Sequence, residues 1–350
     1  MTATRTPVAR VAAVRRRGLR RVFFVGTVLA VLAVALVITA LSVGSVAIAP
    51  DDVVTALFGH GTRRAEYIVT EVRAPRALTG ALAGVAFGSS GAIFQGLVRN
   101  PLASPDIIGI TMGASAAAVV AIVVFDATGA PVSISAFAGA LGTAALIYTL
   151  AWRRGVSGYR LVLIGIGVAA VLSSVVSYLM TRAQVRDAQQ ALVWLTGSLT
   201  ARTWTDVGPL AVAVLVLVPV AVVLAAGMRP MQFGDDTATG LGVRVERHRL
   251  GLIATAVGLA AAATAAAGPV AFVAFVSAPI ARRLTHGNGS VLVPAALVGA
   301  VALVGSDLVA QHVLALVGIV ALPVGVVTGV LGAPYLLWLM ATANRMGRAG

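Results

Sequence analysis

The apolar residues of this chain fall into long runs separated by short charged segments. A helix needs about 20 mostly apolar residues to span a bilayer. The runs long enough to do so are Val22–Leu41, Ala77–Val98, Ile107–Phe125, Ala127–Trp152, Leu161–Thr181, Val207–Met228, Leu250–Ala281 and Leu284–Asn344. The pattern predicts an all-α integral membrane protein with about ten transmembrane helices.

The later runs are too long for one helix each. Gly268-Pro269 offers a natural break inside Leu250–Ala281, after which a short helix around Ala274–Leu284 would return the chain to its starting side. Leu284–Asn344 holds two spans that separate near Leu316–Pro323. The first run is too long for a signal-peptide core and no small-residue cleavage site clearly ends it, so we interpret it as a retained helix.

The charged segments predict how the chain is oriented. With a cytoplasmic N-terminus, the inner segments would carry 19 arginines and four acidic residues, whereas the outer segments would carry seven of each. Inner loops of membrane proteins are enriched in basic residues. We therefore expect a basic cytoplasmic tail at 1–21, a single transmembrane domain at 22–340 and a cytoplasmic tail at 341–350.

Composition excludes several functional classes. Charged residues make up only 11% of the chain and the mean hydropathy is +0.98, which excludes an ordinary soluble enzyme. The net charge of +14 could indicate nucleic acid, but the membrane topology accounts for it. The sequence has no cysteine and no lysine, and its four histidines are scattered. We predict no catalytic site, no metal site, no cofactor and no nucleotide site of its own.

Small residues recur at helical spacing in one run. Gly80, Gly84, Gly88 and Gly91 follow one helix face. In lipid, such residues let helices approach closely, so we favour tight packing over substrate contact for this face.

Two polar segments adjoin predicted spans on the inner side. One runs from Arg99 to Asp106 and contains two prolines. The other, Gln232–Val243, predicts a short amphipathic helix with an acidic start and a C-terminal Gly242, inside a region of about 230–244. A plain solvated connector is the alternative for each.

Asp307 is the one carboxylate predicted within a span. Such a group is costly in lipid, and it is usually functional or paired. Proton coupling in a secondary transporter is one hypothesis. A structural hydrogen bond to neighbouring helices is the one we favour, because no second acid or membrane histidine accompanies it.

Together these motifs resemble the FecCD-type permeases, the membrane subunits of ABC importers for iron–siderophore complexes, haem and cobalamin. The resemblance extends from Leu41 to Met340. It is carried by Arg73-Ala74-Pro75-Arg76, Gly91–Gly96, Arg99–Ala103, Gly109, Gly113-Ala114, Gly234-Asp235, Leu241-Gly242-Val243, Gly268–Val273, Asp307-Leu308, Leu322–Gly325 and Gly332-Ala333-Pro334.

The resemblance implies the type II ABC importer permease fold and roles for particular residues. Arg73 and Arg76 would dock the extracytoplasmic binding protein, and Asn100 and Leu102 would lie near the cytoplasmic mouth of the pore. Residues that would couple to the ATPase are Gly234, Asp235, Thr237, Ala238, Leu241 and Gly242. Two copies of an ABC ATPase would bind ATP and Mg²⁺ and drive an alternating-access cycle. Membrane lipid would surround the chain.

Three positions depart from the family pattern. Ala321 stands where an acid is usual, Gln311 where many members have arginine, and Pro279-Ile280 where Pro-His or Pro-Gln is common. Gln311 and the segments Ala281–Thr285 and Pro334–Trp338 most resemble the second permease of heterodimeric ferric-siderophore importers. This implies a ferric siderophore as substrate and a paralogous permease as partner, with haem or cobalamin as the alternative substrates.

Overall fold

In the computed structural model the chain is a bundle of helices. The structure describes residues 7–44, 46–152, 157–287, 289–313 and 322–346, with side chains from 16 to 341 apart from residue 229. Within these ranges there is no β-strand. The helices are α1 (Pro7–Ser42), α2 (Pro50–Leu57), α3 (Arg63–Tyr67), α4 (Ala74–Val98), α5 (Pro105–Ile108), α6 (Ile110–Phe125), α7 (Ala130–Ala151), α8 (Gly158–Arg182), α9 (Val185–Thr196), α10 (Trp204–Met231), α11 (Asp235–Gly240), α12 (Val245–Ala267), α13 (Val273–Thr285), α14 (Leu292–Leu308) and α15 (Val324–Met346).

Eight helices in the described ranges are long and apolar enough to cross a membrane. The shorter apolar helix α6 and the half-length helix α13 complete a layout close to the predicted ten. The predicted break is confirmed, because α12 ends at Ala267 and Gly268 takes a positive φ of 76°. The predicted separation near Leu316–Pro323 falls mostly on residues 314–321, which include Ala321 and lie outside the described ranges.

Three features differ from the sequence expectations at the edges of the spans. α1 begins at Pro7, so the helix extends into the segment interpreted as a tail. The short helices α2 and α9 were not predicted, because neither is long enough to register as a span. Local signals for α2 were nevertheless present: Pro50 at its first turn, followed by Asp51 and Asp52.

α4 is the central helix of the bundle. It contacts α10, α12, α13 and α14. About 78% of its apolar stretch is buried inside the protein, compared with 6% for α1 and 17% for α8. α1 and α8 are therefore peripheral in the isolated chain and leave most of their surface to lipid or to a partner.

Glycine contacts explain how α4 can be so enclosed. A Cβ atom on Gly84 would overlap the backbone of Gly299 and Ala300 in α14, and one on Gly88 would overlap the backbone of Ala295. A Cβ on Gly91 would overlap the backbone of Ala274 in α13. The predicted packing role is confirmed for these three glycines, because only a hydrogen side chain permits so close an approach.

The loops gather at two ends of the bundle, as the arginine pattern predicts. One end, here called the arginine-rich end, brings together Arg99, Arg160, Arg244, Arg247 and Arg249 around one cleft. At the opposite end, Arg73 contacts the end of α1, and the Trp204 indole donates to Thr70 O at 3.0 Å. The structure does not itself contain a membrane, so the assignment of the arginine-rich end to the cytoplasm stays a prediction.

We predict that Gly84→Ala and Gly88→Ala lower the thermal stability of the purified permease. Overpacking of a tight interface costs about 1–3 kcal/mol, because the two backbones must separate. Thermal unfolding in detergent measures the effect. Gly26→Ala and Gly142→Ala are matched controls, since a Cβ at either helix position meets nothing within 4 Å. Equal stability of all four variants would contradict the packing role.

Candidate functional site

Residues assigned by sequence to transport lie in three places: the opposite end of the bundle, the arginine-rich end, and the connection after α4. The contacts of these residues differ between the two ends of the bundle. The arginines of the opposite end are engaged inside the chain, whereas the segment at the arginine-rich end presents apolar side chains to the outside.

Arg73 holds the end of α1. Its guanidinium donates to Leu41 O at 2.7 Å, Ser42 O at 3.0 Å and Val46 O at 2.5 Å. The last carbonyls of a helix lack partners within the helix, and a cation is favourable there. Arg73 therefore fastens α1 to the start of α4, and its role in docking a binding protein remains a prediction.

Arg76 forms a bidentate ion pair with Asp307. Nε and Nη2 of Arg76 lie 2.9 and 2.8 Å from the two carboxylate oxygens, and Gln311 Nε2 donates to the same carboxylate at 2.5 Å. The side chain of Asp307 is 6% exposed and that of Arg76 is 20% exposed. The carboxylate thus has three donors within the chain, which is the paired arrangement favoured from the sequence.

The sequence reasoning treated Arg76 and Asp307 separately and missed their pairing. They lie 231 positions apart. A usable signal was present in the sequence, because a carboxylate inside a span requires a cation. Arg76 was predicted to lie on the outer side of the membrane, where it could reach such a carboxylate. Two π-helical segments, Ile68–Arg73 and Val309–Val313, flank the pair. Such segments are frequent at functional sites.

The predicted coupling segment forms a short helix, α11, at the arginine-rich end. Asp235 and Asp236 occupy its first turn, and Gly242 follows it with a φ of 83°. The predicted acidic first turn is confirmed. Gly242 comes directly after Leu241, the C-cap residue, and so stands where the helix ends, as predicted. Ala238 is buried, whereas Leu241 is 67% exposed and Phe233, just before the helix, is 77% exposed.

A charge network joins α11 to the transmembrane helices. Arg249 in α12 donates to both carboxylate oxygens of Asp235 at 3.0 and 2.8 Å. It also donates to Glu246 at 3.2 Å, and Glu246 accepts a long hydrogen bond of 3.5 Å from Tyr148 in α7. Arg249 is only 17% exposed, so its planar fork is held by packing as well as by charge.

A second connection runs to the central helix. Arg99 follows α4 in the left-handed conformation, with a φ of 55°, and its guanidinium donates to Met231 O at the end of α10. A displacement of α11 would therefore be transmitted to α12 and α7 through Arg249 and Glu246, and to α4 through the end of α10 and Arg99. The cleft between these elements has a volume of about 1080 Å³ and contains more arginines than acids.

The connection after α4 is shaped by short polar contacts. Asn100 is exposed, and its Oδ1 accepts from the backbone of Leu102 at 2.9 Å. Ser104 caps α5 by accepting from Ile107 N. Burial raises the pKa of Asp106 to about 6, and a hydrogen bond from Thr111 opposes that shift. Asn100 and Leu102 thus lie at the arginine-rich end, where the mouth residues were expected, and their role in a pore is untested.

α8 exposes a helical face with an unusual chemical character. Its hydroxyl-bearing residues Ser174, Ser177, Tyr178 and Thr181 are exposed towards the end of the helix nearest α9. The hydroxyls of Ser174 and Thr181 donate within the helix to Ala170 O at 3.0 Å and Tyr178 O at 2.7 Å, and their oxygens can still accept from outside it. This face is suited to water or to a second polypeptide.

Within the described residues no group of three or more His, Asp or Glu side chains lies close enough together to hold a metal. The arrangement offers instead two bracing points at the opposite end, and a braced, partly apolar segment at the arginine-rich end.

Known proteins share this sequence and fold. The chain is 43% identical over 302 residues to the ferric enterobactin transport system permease protein FepG of Escherichia coli (strain K12), covering 86% of this chain and 91% of the relative. It is 39% identical over 317 residues to the Fe(3+)-citrate import system permease protein YfmE of Bacillus subtilis (strain 168), covering 89% and 93%.

A solved structure of a metal-chelate type ABC transporter in an inward-facing conformation superimposes with a TM-score of 0.79. It is 26% identical in sequence, and the match covers 91% of this chain and 98% of that one. The FecCD transport family matches residues 31–342. The chain is a multi-pass membrane permease that belongs to the FecCD transport family.

Proposed function

We propose that this chain is the pore-forming permease subunit of an ABC importer that moves a ferric siderophore across the cytoplasmic membrane. The observation that carries the proposal is the exposed pair Phe233 and Leu241 beside the braced helix α11. Large apolar side chains that are exposed on a charged, loop-bearing end of the bundle are suited to a contact with another protein. The iron-chelate names of the relatives support the substrate class.

The arginine-rich end would face the cytoplasm and bind two copies of an ABC ATPase. ATP and Mg²⁺ would be bound by those subunits, and this chain would hold no cofactor. Rigid attachment of α11 matters here, because a movement is transmitted only through elements that do not yield locally. Arg249 attaches α11 to α12, and Arg99 attaches the end of α10, which precedes α11, to α4.

A second permease would cover the exposed face of α8. The hydroxyl groups of that face would then line a water-filled path between two subunits instead of facing lipid. A paralogous partner is favoured over a second copy of this chain by the subfamily resemblance. Residues Asn100 and Leu102 would lie near the inner mouth of this path.

An extracytoplasmic siderophore-binding protein would dock at the opposite end. Arg73 and Arg76 are already engaged with α1 and Asp307, so we propose that they shape this surface and that any contact with the binding protein competes with those partners. The same pairing disfavours a proton-coupled secondary transporter, because Asp307 is held by Arg76 and Gln311.

The proposal predicts that uptake of an iron chelate depends on ATP. Right-side-out inner-membrane vesicles that are loaded with ATP and supplied externally with binding protein and a radiolabelled ferric siderophore should accumulate label only when the ATPase and ATP are present. Uptake that persists without the ATPase but collapses with an uncoupler would overturn the importer assignment in favour of proton coupling.

We predict that Arg249→Gln uncouples ATP hydrolysis from transport. The exposed contact surface at Phe233 and Leu241 is unchanged in this variant, so the ATPase should still co-purify. Without its attachment α11 should move independently, and the amount of substrate transported per ATP hydrolysed in proteoliposomes should fall several-fold.

Arg247→Gln is the matched control for that variant. Arg247 lies two positions away in the same cleft, is exposed, and forms no ion pair with the described residues. Arg247→Gln should transport the wild-type amount of substrate per ATP hydrolysed. If Arg249→Gln also transports the wild-type amount of substrate per ATP hydrolysed, the proposed role of Arg249 in attaching α11 is contradicted.

Exchanging the charges of Arg76 and Asp307 distinguishes a role of Arg76 in docking the binding protein from a structural role in this ion pair. Arg76→Asp should destabilise the fold by about 3–5 kcal/mol, because it leaves Asp307 buried and unpaired. Adding Asp307→Arg should restore much of that stability with the charges exchanged. Binding-protein affinity that returns in the double variant assigns Arg76 to bracing alone, whereas affinity that stays low assigns it a direct contact.

A further inference from the structure

A polar cavity of about 340 Å³ lies at the arginine-rich end, between the ends of α4 and α10 and the helix α13. It adjoins the cleft that contains α11, since Arg99 lines both spaces. Its polar lining is Gln95, Arg99, Asn100, Gln232 and Arg282. Among the described residues no carboxylate lines it, and the two charged side chains that do, Arg99 and Arg282, are both positive.

Arg282 is the residue that makes this cavity unusual. Its guanidinium is half-buried, yet it forms no hydrogen bond or ion pair with any side chain or carbonyl that the structure describes. An arginine in such surroundings is normally paired, because desolvating an uncompensated cation is costly.

The carboxamides of the cavity indicate what kind of ligand would fit. Gln95 is 2% exposed, and its Nε2 donates to Phe275 O at 2.9 Å. Its Oε1 has no partner among the described residues and almost no accessible surface, so Gln95 helps to form the wall of the cavity without offering the ligand an acceptor. Asn100 uses its Oδ1 within the chain, which leaves its amide nitrogen able to donate.

A smaller chamber of about 100 Å³ continues from this cavity. The two share Gly96, Gln232 and Arg282, and the smaller one is lined mainly by apolar side chains, among them Ile93, Met228 and Leu292. The combined space is therefore amphipathic: cationic and hydrogen-bonding on one side, apolar on the other. Basic pockets between transmembrane helices commonly hold phospholipid headgroups.

We infer that this cavity binds a phosphate group, with Arg282 as its principal ligand. The planar fork of Arg282 binds two phosphate oxygens, Arg99 adds a second positive charge, and the Asn100 amide donates. Phosphatidylglycerol has this chemistry as a lipid headgroup, and hydrogenphosphate has it as a free ion. This inference goes beyond the proposed transport function and does not require it.

The test uses the full-length permease purified in an uncharged detergent. Native mass spectrometry with added short-chain phosphatidylglycerol gives the lipid affinity, with short-chain phosphatidylcholine, which has no net charge, as the comparison. Equilibrium dialysis with radiolabelled inorganic phosphate gives the affinity for the free ion. Loss of one charged, bidentate hydrogen-bonding partner should weaken binding about tenfold or more in Arg282→Gln.

Arg283→Gln is the matched control. Arg283 adjoins Arg282 on α13, but its guanidinium lies over the Trp338 ring at 3.9 Å and does not line the cavity. This variant should bind as the wild type does. If Arg282→Gln does not purify as a monodisperse species, Arg282→Lys keeps the charge without the bidentate fork and should bind with intermediate affinity.

Arg282-dependent binding of phosphatidylglycerol in preference to phosphatidylcholine assigns the site to a lipid. Arg282-dependent binding of inorganic phosphate without the lipid assigns it to the free ion. Affinities for both probes that are equal in the wild type and in Arg282→Gln would overturn the inference. None of these outcomes bears on ATP-dependent uptake, so the inference and the proposed transport function can fail separately.

Discussion

The close approach of α4 to α14 and α13 is the contact on which the rest of this fold depends. Within lipid, burial of apolar side chains no longer drives helices together, so association rests on packing and on polar contacts between helices. Gly84, Gly88 and Gly91 bring the backbone of α4 against the backbones of its two neighbours. α4 can therefore occupy the centre of the bundle and connect its two ends.

Polar side chains secure each end of this central helix. At one end Arg73 and Arg76 fasten α1 and α14 to the start of α4. At the other end Arg99 fastens α10, and Arg249 fastens α11 to α12. A rigid centre with bracing at both ends is suited to carrying a movement from an ATPase contact to a surface on the far side of the membrane.

Much of the architecture was predictable because the membrane imposes it. A bilayer fixes the length of an apolar run, and the arginine distribution fixes which loops share a side. The break at Gly268, the return helix α13, the packing glycines and the short helix α11 followed from local rules. Much less of the candidate site was predictable, since Arg73 and Arg76 were assigned by resemblance to an outward contact and are engaged within the chain.

The sequence by itself determined the spans, the sidedness pattern and the family, because these depend on composition and spacing along the chain. The tertiary structure alone decided which charges meet. Arg76 and Asp307 are far apart in sequence, and no periodicity links them. The same holds for Arg249 with Asp235. It holds too for Arg282, which has no partner among the described residues, a fact that appears only once α4, α10 and α13 are packed together. Electrostatic pairing depends on distance in space, which the order of residues does not encode locally.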